Sequence, residues 1–263
     1  MSEPHRARKR FGQNFLVDGS IIGKIVAAIA PRPGDNLVEI GPGLGALTRP
    51  VLEASGHLRV VEIDRDLIAR LRGDLAGQGL EIHEGDALKF DFGALGGDLR
   101  VIGNLPYNIS TPILFHLSEY ADRIRDMTFM LQKEVVERMV AEPGSADYGR
   151  LSVMLQYRFR VDKQFDVAPG AFRPVPKVTS AIVRLTPRLV HELGARDAAL
   201  LARIVAAAFG QRRKTLRNTL RDFADEAMLA ELGIDPSLRG ERLSVDDFVR
   251  IANLCTDAGR RAP

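Results

Sequence analysis

Short apolar runs alternate with stretches of helical periodicity along most of the chain. The apolar runs, rich in β-branched and aliphatic residues, predict strands at 36–41, 58–64, 80–85, 99–103, 127–132, 153–161 and 179–185. Apolar residues that recur at i, i+3 and i+4 predict helices at 18–30, 44–54, 65–76, 111–120 and 133–140. This alternation predicts an α/β fold with a doubly wound, mostly parallel sheet and helices on both faces.

The pattern changes in two places towards the C-terminus. The strands predicted at 153–161 and 179–185 have no helical pattern between them, only loop signals such as Pro169 and Pro174, which favours an antiparallel pair at the sheet edge. From about residue 197 to residue 255 the periodicity is helical throughout. We therefore expect a sheet domain over residues 1–190 and a small all-α domain over residues 191–263.

Composition and charge narrow the functional classes. The 263 residues contain 37 Lys and Arg against 34 Asp and Glu, so the distribution of charge matters more than its sum of +3. The single cysteine, Cys255, excludes an intrachain disulfide and a cysteine-based metal site. No apolar run approaches the ~20 residues that cross a bilayer. A cytoplasmic protein with neither a metal ion nor a membrane partner fits this composition.

A glycine-rich turn follows the strand predicted at 36–41. It contains Gly41, Gly43 and Gly45 and leads directly into a predicted helix. Ligands of open α/β sheets bind at this carboxyl edge, and the spacing also satisfies the dinucleotide pattern, so a nicotinamide or flavin cofactor remains an alternative.

Two acids at the ends of the next two strands favour a different cofactor. Glu62 ends the second strand, where a carboxylate can accept hydrogen bonds from ribose hydroxyls. Asp86 ends the third strand, where it can accept from an adenine amine. Together with the glycine turn they outline an adenosine pocket with no pyrophosphate to bind, which favours S-adenosylmethionine over a dinucleotide.

The fourth strand ends in the tetrapeptide Asn104-Leu105-Pro106-Tyr107, which suits methyl transfer to an adenine amine. The lone pair of that amine is delocalised into the ring, so the nitrogen is a poor nucleophile until its geometry becomes more tetrahedral. The Asn104 side-chain oxygen and a backbone carbonyl held by Pro106 would favour this change by accepting the amine hydrogens. Tyr107 can stack on the base. The plainer interpretation is a strand-end turn with a core tyrosine.

Several segments carry motifs of a known family. Residues 11–16, 39–45, 61–64, 84–88 and 103–111 resemble, in order, those of the ribosomal RNA adenine dimethyltransferase family. Leu105 and the segments 171–180 and 211–218 are most similar to its bacterial small-subunit branch. The resemblance implies a class I methyltransferase sheet, Rossmann-like in topology, and a helical RNA-binding C-terminal domain.

The resemblance also implies roles for individual residues. Those expected to contact S-adenosylmethionine are Asn14, Leu16, Gly41, Glu62, Asp86 and Asn104. Asn104 would also bind the target amine, while Tyr107 and Phe172 would flank a flipped adenine, so these three are the expected catalytic residues. Phe172 lies in a predicted loop between Gly170 and Pro174, where few neighbours would bury it unless a base stacks on it.

The implied reaction is dimethylation, at adenine N6, of two adjacent adenosines in the 3'-terminal hairpin of 16S ribosomal RNA. The implied substrate is a precursor of the small ribosomal subunit, and we expect a monomeric enzyme. The expected RNA-binding residues form the richest basic stretch, which contains no acid: Arg212, Arg213, Lys214, Arg217 and Arg221. At helical spacing Arg213, Arg217 and Arg221 would share one face and repel each other unless phosphates neutralise them. A solvated charged face is the plainer interpretation.

Three alternatives to this function remain. One is a macrolide-resistance-type enzyme that methylates 23S ribosomal RNA, whose tetrapeptide usually has isoleucine in place of Leu105. Another is a ribosome assembly or transcription factor that retains the fold without catalysis, against which the complete set of Glu62, Asp86 and Asn104 argues. The third is a Rossmann oxidoreductase, which a nicotinamide-dependent thermal shift would reveal.

Overall fold

The computed structural model of the protein describes residues 14–259, so residues 11–13 of the first family motif lie outside it. The helices in the described part are α1 (Gly19–Ile29), α2 (Thr48–Ser55), α3 (Arg65–Asp74), α4 (Ser110–Ser118), α5 (Lys133–Val140), α6 (Arg150–Arg158), α7 (Ala198–Gly210), α8 (Leu216–Thr219), α9 (Glu226–Glu231) and α10 (Val245–Asp257). The strands there are β1 (Phe15–Leu16), β2 (Asn36–Ile40), β3 (Leu58–Glu62), β4 (Leu80–Glu84), β5 (Leu99–Asn104), β6 (Ile124–Gln132), β7 (Phe159–Val167), β8 (Phe172–Arg173) and β9 (Ser180–Pro187).

Seven strands form one sheet in the order β4-β3-β2-β5-β6-β9-β7. Neighbouring strands from β4 to β6 are parallel, whereas β9 is antiparallel to β6, from Met127 opposite Leu185 to Gln132 opposite Ser180. The predicted doubly wound sheet with antiparallel pairing at one edge is therefore confirmed. The strand order reverses between β2 and β5, and ligands of such sheets bind at the carboxyl ends of the strands beside that reversal.

A buried arginine joins the end of α1 to the sheet. Arg100, in β5, is 5% exposed and donates to the carbonyl oxygens of Ile29 (2.6 Å) and Ala30 (3.2 Å). The same guanidinium binds the carboxylates of Asp35 (2.7 Å) and Asp126 (3.0 Å). Because the last carbonyl groups of a helix have no partner within the helix, this cluster both ends α1 and holds it against β5.

One predicted strand is wrong in its first part. The residues at the start of the predicted strand 153–161 belong to α6, and β7 begins only at Phe159. Apolar residues occupy every second position of this segment, which imitates a half-buried strand. In the structure the Gln156 side chain donates to the carbonyl oxygens of Met139 (2.9 Å) and Ala141 (2.8 Å) near the end of α5. The helix is thus supported by contacts that the local sequence pattern does not contain.

The chain divides into two compact units. In the described part of the chain, one unit contains residues 14–136 together with Val161–Pro187, and it includes almost the whole sheet. The other contains Glu137–Arg160 together with residues 188–259, and its regular structure is helical apart from the first residues of β7. No helix between residues 14 and 259 is both long and apolar enough to span a bilayer.

The helical unit differs from the expected segment 191–263 because it also includes α6 and part of α5. Val153 and Tyr157 of α6 belong to the same buried apolar cluster as Leu201 of α7 and Phe248 of α10. The apolar face of α6 is buried against these later helices. The helical unit therefore combines two separate stretches of the chain, and a single boundary after residue 190 does not describe it.

Candidate active site

An open cavity of about 260 Å³ lies at the carboxyl ends of β2, β3, β4 and β5. All residues that the resemblance assigns to the methyl donor line it, and so does Tyr107. The set comprises Asn14, Leu16, Gly41, Glu62, Asp86, Asn104 and Tyr107. The sheet topology therefore brings together residues that are far apart in the chain, and the ligand that they contact stays a prediction.

The glycine turn forms one wall of this cavity because its backbone adopts a conformation that side chains disfavour. Gly41 and Gly43 have φ values of 67° and 58°, in the left-handed region. A Cβ on Gly43 would also lie 3.3 Å from ring carbons of Phe15. The Gly41 N–H donates to the carbonyl oxygen of Val61 at 3.0 Å, which ties the turn to the end of β3. At its glycine positions the turn thus presents backbone to the cavity.

The Glu62 side chain is oriented by backbone N–H groups of the two residues that follow it. The residue is 7% exposed, and its Oε1 accepts the N–H groups of Ile63 and Asp64, both at 2.9 Å. Burial raises the pKa of Glu62 above its ordinary value, and these two backbone donors oppose that rise. The carboxylate is therefore oriented before a ligand binds.

Asp86 lies beside Glu62 across the strand ends. The Gly85 N–H donates to the Glu62 carbonyl oxygen at 2.9 Å, which ties the chain after β4 to the end of β3. The Asp86 carboxylate accepts the Leu88 N–H at 3.0 Å through Oδ1. The two acids thus present carboxylates at neighbouring points of the cavity wall, which is the arrangement expected for an adenosine ligand.

Glu39 also belongs to the site, although no motif in the sequence predicted a role for it. It lines the cavity, is 2% exposed, and its Oε2 accepts the hydroxyl proton of Thr48 at 2.7 Å. Burial raises the pKa of Glu39 to about 7, and the nearby charge of Glu62 contributes to the rise. The available signal was an acid within the apolar run of β2, where a charge is costly unless it has a function or a partner.

Asn104 is oriented by a contact with the first described residue. At the end of β5, its Nδ2 donates to the carbonyl oxygen of Asn14 at 3.2 Å. Because a carbonyl oxygen can only accept, the NH₂ group must face Asn14, and Oδ1 is then the acceptor available to other groups. Gly103 makes this position possible, since a Cβ there would lie 2.6 Å from the Ile40 carbonyl oxygen of β2.

Tyr107 is half-buried, and both its side-chain hydroxyl and its backbone carbonyl oxygen have hydrogen-bond partners. Its hydroxyl lies 2.8 Å from Oγ of Ser180, and its carbonyl oxygen accepts the Ser110 hydroxyl at 3.1 Å. Burial raises the pKa of Tyr107 above that of a free phenol, so the hydroxyl is neutral at physiological pH. Ser180 is the last residue of the motif-bearing segment 171–180, but nothing in the sequence predicted its contact with Tyr107.

Phe172 is more deeply buried than its predicted loop position indicates. Its side chain is 0% exposed and does not line the cavity. It belongs to the buried cluster that includes Leu16, Val167 and Ile182, and β8 pairs with β1 so that Phe172 lies opposite Leu16. The inference that few neighbours would bury this ring is wrong because the neighbours come from distant parts of the chain.

The basic stretch is not one continuous helix. α7 ends at Gly210, and α8 contains only Leu216–Thr219, so Arg213 and Arg221 lie outside both helices. The expectation that Arg213, Arg217 and Arg221 share a helix face is therefore wrong.

The exposed residues of this stretch differ in their acidic neighbours. Arg217 pairs with Glu226 at 2.8 Å and Arg221 with Asp222 at 3.6 Å. Arg213 and Lys214 are exposed, and no acid in the described part of the chain pairs with them. Among residues 14–259, no group of three or more His, Cys, Asp or Glu side chains is arranged to hold a metal ion.

Comparisons of the sequence identify relatives of known function. The profile of the family described as "Ribosomal RNA adenine dimethylase" matches residues 4–257. A protein of Aromatoleum aromaticum named "Ribosomal RNA small subunit methyltransferase A" is 69% identical over 262 residues, covering 100% of this chain and 98% of that protein. A protein of Thiobacillus denitrificans with the same name is 63% identical over 247 residues, covering 94% of this chain and 97% of that protein.

Solved structures agree with this relationship. A dimethyladenosine transferase from Plasmodium falciparum superposes with a TM-score of 0.82 at 25% identity, covering 94% of this chain and 98% of that one. The 23S rRNA methyltransferase ErmE superposes with a TM-score of 0.69 at 27% identity, covering 92% of this chain and 100% of that one. Because the family profile and these relatives match nearly the full length, the chain belongs to the ribosomal RNA adenine dimethylase family of methyltransferases.

Proposed function

We propose that this protein transfers methyl groups from S-adenosylmethionine to N6 of two adjacent adenosines in the 3'-terminal hairpin of 16S ribosomal RNA. The observation that carries the proposal is the orientation of Asn104, whose Oδ1 is available as an acceptor at a cavity that also contains Glu62 and Asp86. The small-subunit specificity is supported by the names of the relatives that are 69% and 63% identical. We expect the reaction to take place in the cytoplasm, because the proposed substrate is a precursor of the small ribosomal subunit.

The residues of the cavity fit S-adenosylmethionine. The oriented Glu62 carboxylate can accept hydrogen bonds from the ribose hydroxyls, and Asp86 can accept from the adenine amine. Ile63 and Leu88 add apolar surface beside the two acids, which suits the faces of an adenine ring. When bound, the sulfonium of this cofactor supplies an electrophilic methyl group.

The tetrapeptide prepares the target nitrogen for attack. Oδ1 of Asn104 and the Leu105 carbonyl oxygen accept the two amine hydrogens, which concentrates the lone pair on nitrogen. Leu105 is held in place because its N–H donates to the Met130 carbonyl oxygen at 3.2 Å. The nitrogen keeps its protons, hydrogen-bonded to these acceptors, while it gains the methyl group, and the methylated nitrogen then releases one proton to water.

Tyr107 supplies a stacking face for the extruded adenine. Stacking of a base on an aromatic ring contributes ~1–3 kcal/mol, which helps to offset the cost of removing that base from its stack. Phe172 would have to leave its buried cluster before it could contact the other face. Its role as a second adenine neighbour therefore requires a rearrangement of β8.

Exposed basic residues of the helical unit contact the RNA. Arg213 and Lys214 are the members of the basic stretch best suited to bind phosphate, because neither is neutralised by a neighbouring acid. Arg212 donates to the Ala146 carbonyl oxygen at 2.8 Å, which orients its guanidinium without neutralising it. Arg217 and Arg221 must exchange an acidic partner for a phosphate.

A methylation assay tests the proposal directly. Undermethylated small-subunit particles and a bare 23S ribosomal RNA fragment are incubated separately with the protein and labelled methyl donor, and the modified nucleotides are mapped. We expect dimethyladenosine at two neighbouring positions of the 16S hairpin. Transfer to the 23S fragment alone would indicate the macrolide-resistance activity, and particle binding without any transfer would indicate a factor that does not use catalysis.

A further inference from the structure

A fully buried serine, Ser180, lies within hydrogen-bond distance of the Tyr107 hydroxyl in the candidate active site. Ser180 is 0% exposed, does not line the cavity, and its Oγ lies 2.8 Å from the hydroxyl of Tyr107. We propose that Ser180 is a positioning residue that holds the ring of Tyr107 at the angle needed to stack on the substrate base. The inference rests on the proposed function for the identity of that base, but the contact itself is independent of it.

Ser180 is a fixed point in the sheet. It is the first residue of β9 and lies opposite Gln132 in the antiparallel pairing with β6. The preceding carbonyl oxygen, of Thr179, accepts the Lys133 N–H at 2.9 Å. Backbone pairing on both sides of Ser180, together with its complete burial, leaves the side chain little freedom to move. Its hydroxyl can therefore hold the less constrained side chain of Tyr107 in place.

Tyr107 is such a neighbour because it lies between two regular elements rather than within one. β5 ends at Asn104 and α4 begins at Ser110, and the intervening turn is closed by the Ile109 N–H, which donates to the Pro106 carbonyl oxygen at 3.1 Å. The backbone of Tyr107 is thus defined, but its half-buried side chain lines the open cavity, so packing does not enclose it on that side. Rotation about the Cα–Cβ bond would swing the ring across that open side.

A hydrogen bond at the far end of the ring opposes this rotation. The hydroxyl lies on the axis of the Cβ–Cγ bond, so the bond to Ser180 restrains the swing of the ring about Cα–Cβ. Phenylalanine at position 107 would keep the aromatic face but lose the restraint. Since displacement of a reacting group by ~1 Å can reduce a rate about a hundredfold, a small swing of the stacking face is sufficient to affect methyl transfer.

A double-mutant cycle separates positioning from a general structural effect. We compare Ser180→Ala, Tyr107→Phe and the double variant in single-turnover methyl transfer to undermethylated small-subunit particles, and we measure binding of S-adenosylmethionine by calorimetry. Each single variant should lose about five- to twentyfold in rate, the double variant should lose no more than one of them, and the donor affinity should stay within about twofold.

The matched control is Ser55→Ala, which removes another buried serine hydroxyl in the same unit. The Ser55 hydroxyl lies 2.8 Å from the backbone carbonyl oxygens of both Val51 and His57, far from Tyr107 in its contacts. Its removal should leave the transfer rate unchanged. A wild-type rate for Ser180→Ala, or rate losses that multiply in the double variant, would overturn the positioning role.

A spectroscopic measurement keeps the inference testable if no transfer to the particles occurs. The Cζ resonance of Tyr107, identified in tyrosine-labelled protein by its loss in Tyr107→Phe, should shift in Ser180→Ala and remain unchanged in Ser55→Ala. Failure of the wild-type protein to methylate either RNA contradicts the proposed function. An unshifted Cζ resonance in Ser180→Ala contradicts the Ser180 contact itself.

Discussion

Glu62 illustrates how a single side chain is prepared for a ligand before that ligand binds. One carboxylate oxygen accepts two adjacent backbone N–H groups, so the side chain does not have to lose rotational freedom on binding. Asn104 is prepared in a similar way by the carbonyl oxygen of Asn14. Both contacts involve backbone groups, which mutation of neighbouring side chains does not remove.

We expect Glu62→Ala to weaken S-adenosylmethionine binding by ~1.5–3 kcal/mol, the contribution of a hydrogen bond to a charged group. Calorimetry on the folded variant measures this loss. Glu84→Ala is the matched control, because Glu84 ends the neighbouring strand opposite Glu62 but binds Arg65 and does not line the cavity. Equal affinities for the Glu62 and Glu84 variants would show that Glu62 does not hold the ribose.

Asn104→Ala should reduce the rate of methyl transfer by ~3 kcal/mol while affinity for the small-subunit particle changes little, because its oxygen acts mainly in the transition state. Single-turnover kinetics and particle-binding assays measure the two quantities separately. A loss of particle binding as large as the loss of rate would instead assign Asn104 to substrate binding.

Glu39 should make the stability of the protein depend on pH. Its folded-state pKa of about 7 lies above the ordinary 4.5, so as pH rises between these values the unfolded chain releases a proton that the folded chain still holds. Its contribution is therefore most favourable below pH 4.5 and is lost by pH 7, by up to ~3 kcal/mol.

Urea unfolding of the wild type and of Glu39→Gln at pH 5 and pH 8 tests this expectation. The amide can retain a hydrogen bond with Thr48 but carries no charge, so the variant should gain stability relative to the wild type as pH rises. Parallel pH profiles for the two proteins would show that Glu39 does not titrate in this range.

At the scale of elements, the site depends on how closely β2 and β5 approach and on how α1 is attached to them. Gly103 allows the approach, because any side chain at this position would meet the Ile40 carbonyl oxygen. Arg100, at the other end of β5, binds the last carbonyl groups of α1 and two buried carboxylates. The strand that carries Asn104 is thus constrained at both ends.

Arg100→Leu should destabilise the protein by ~3 kcal/mol because it leaves the Asp35 and Asp126 carboxylates without their shared buried partner. Arg49→Leu is the comparison, since its pair with Asp74 at 2.7 Å is about 40% exposed and should contribute less than ~1 kcal/mol. Denaturant unfolding of both variants provides the test, and similar losses would mean that burial of the Arg100 cluster has little energetic effect.

At the scale of the whole molecule, exposed positive charge favours binding to ribosomal RNA. The amount of available positive charge depends on which basic side chains are paired with acids, more than on the number of basic residues. The net charge of +3 is small, yet Arg213 and Lys214 remain without acidic partners in the described part of the chain. Arg217 and Arg221 contribute to the same basic stretch in sequence, but acids at 226 and 222 neutralise them locally. Exposed, unneutralised cations release counterions when they bind phosphate.

Changing Arg213 and Lys214 together to Gln should weaken particle binding and reduce the slope of log affinity against log salt by up to ~2, about one for each lost phosphate contact. Donor binding measured by calorimetry should not change. The same change at Arg217 and Arg221 should reduce the slope less, since these residues are already paired. A larger effect for the second pair would place the phosphate contacts on α8 and beyond it.

The sequence by itself determined much of the site, because that information is local. A glycine turn after a strand, acids at two strand ends and the tetrapeptide from Asn104 to Tyr107 are each readable from a few consecutive residues. Parallel strands of an alternating α/β fold must end at one edge, so the meeting of Gly41, Glu62, Asp86 and Asn104 in one cavity followed from the fold class.

Only the tertiary structure decided the features that depend on distant neighbours. The alternating residues after 153 form a helix because α5 and later helices pack against it, and Phe172 is buried because β1 lies beside it. The hydroxyls of Tyr107 and Ser180 are 73 positions apart in the chain, and no local pattern records their contact. Burial, ion pairing and side-chain orientation are set by which elements pack together, and a pattern within a few consecutive residues does not contain that information.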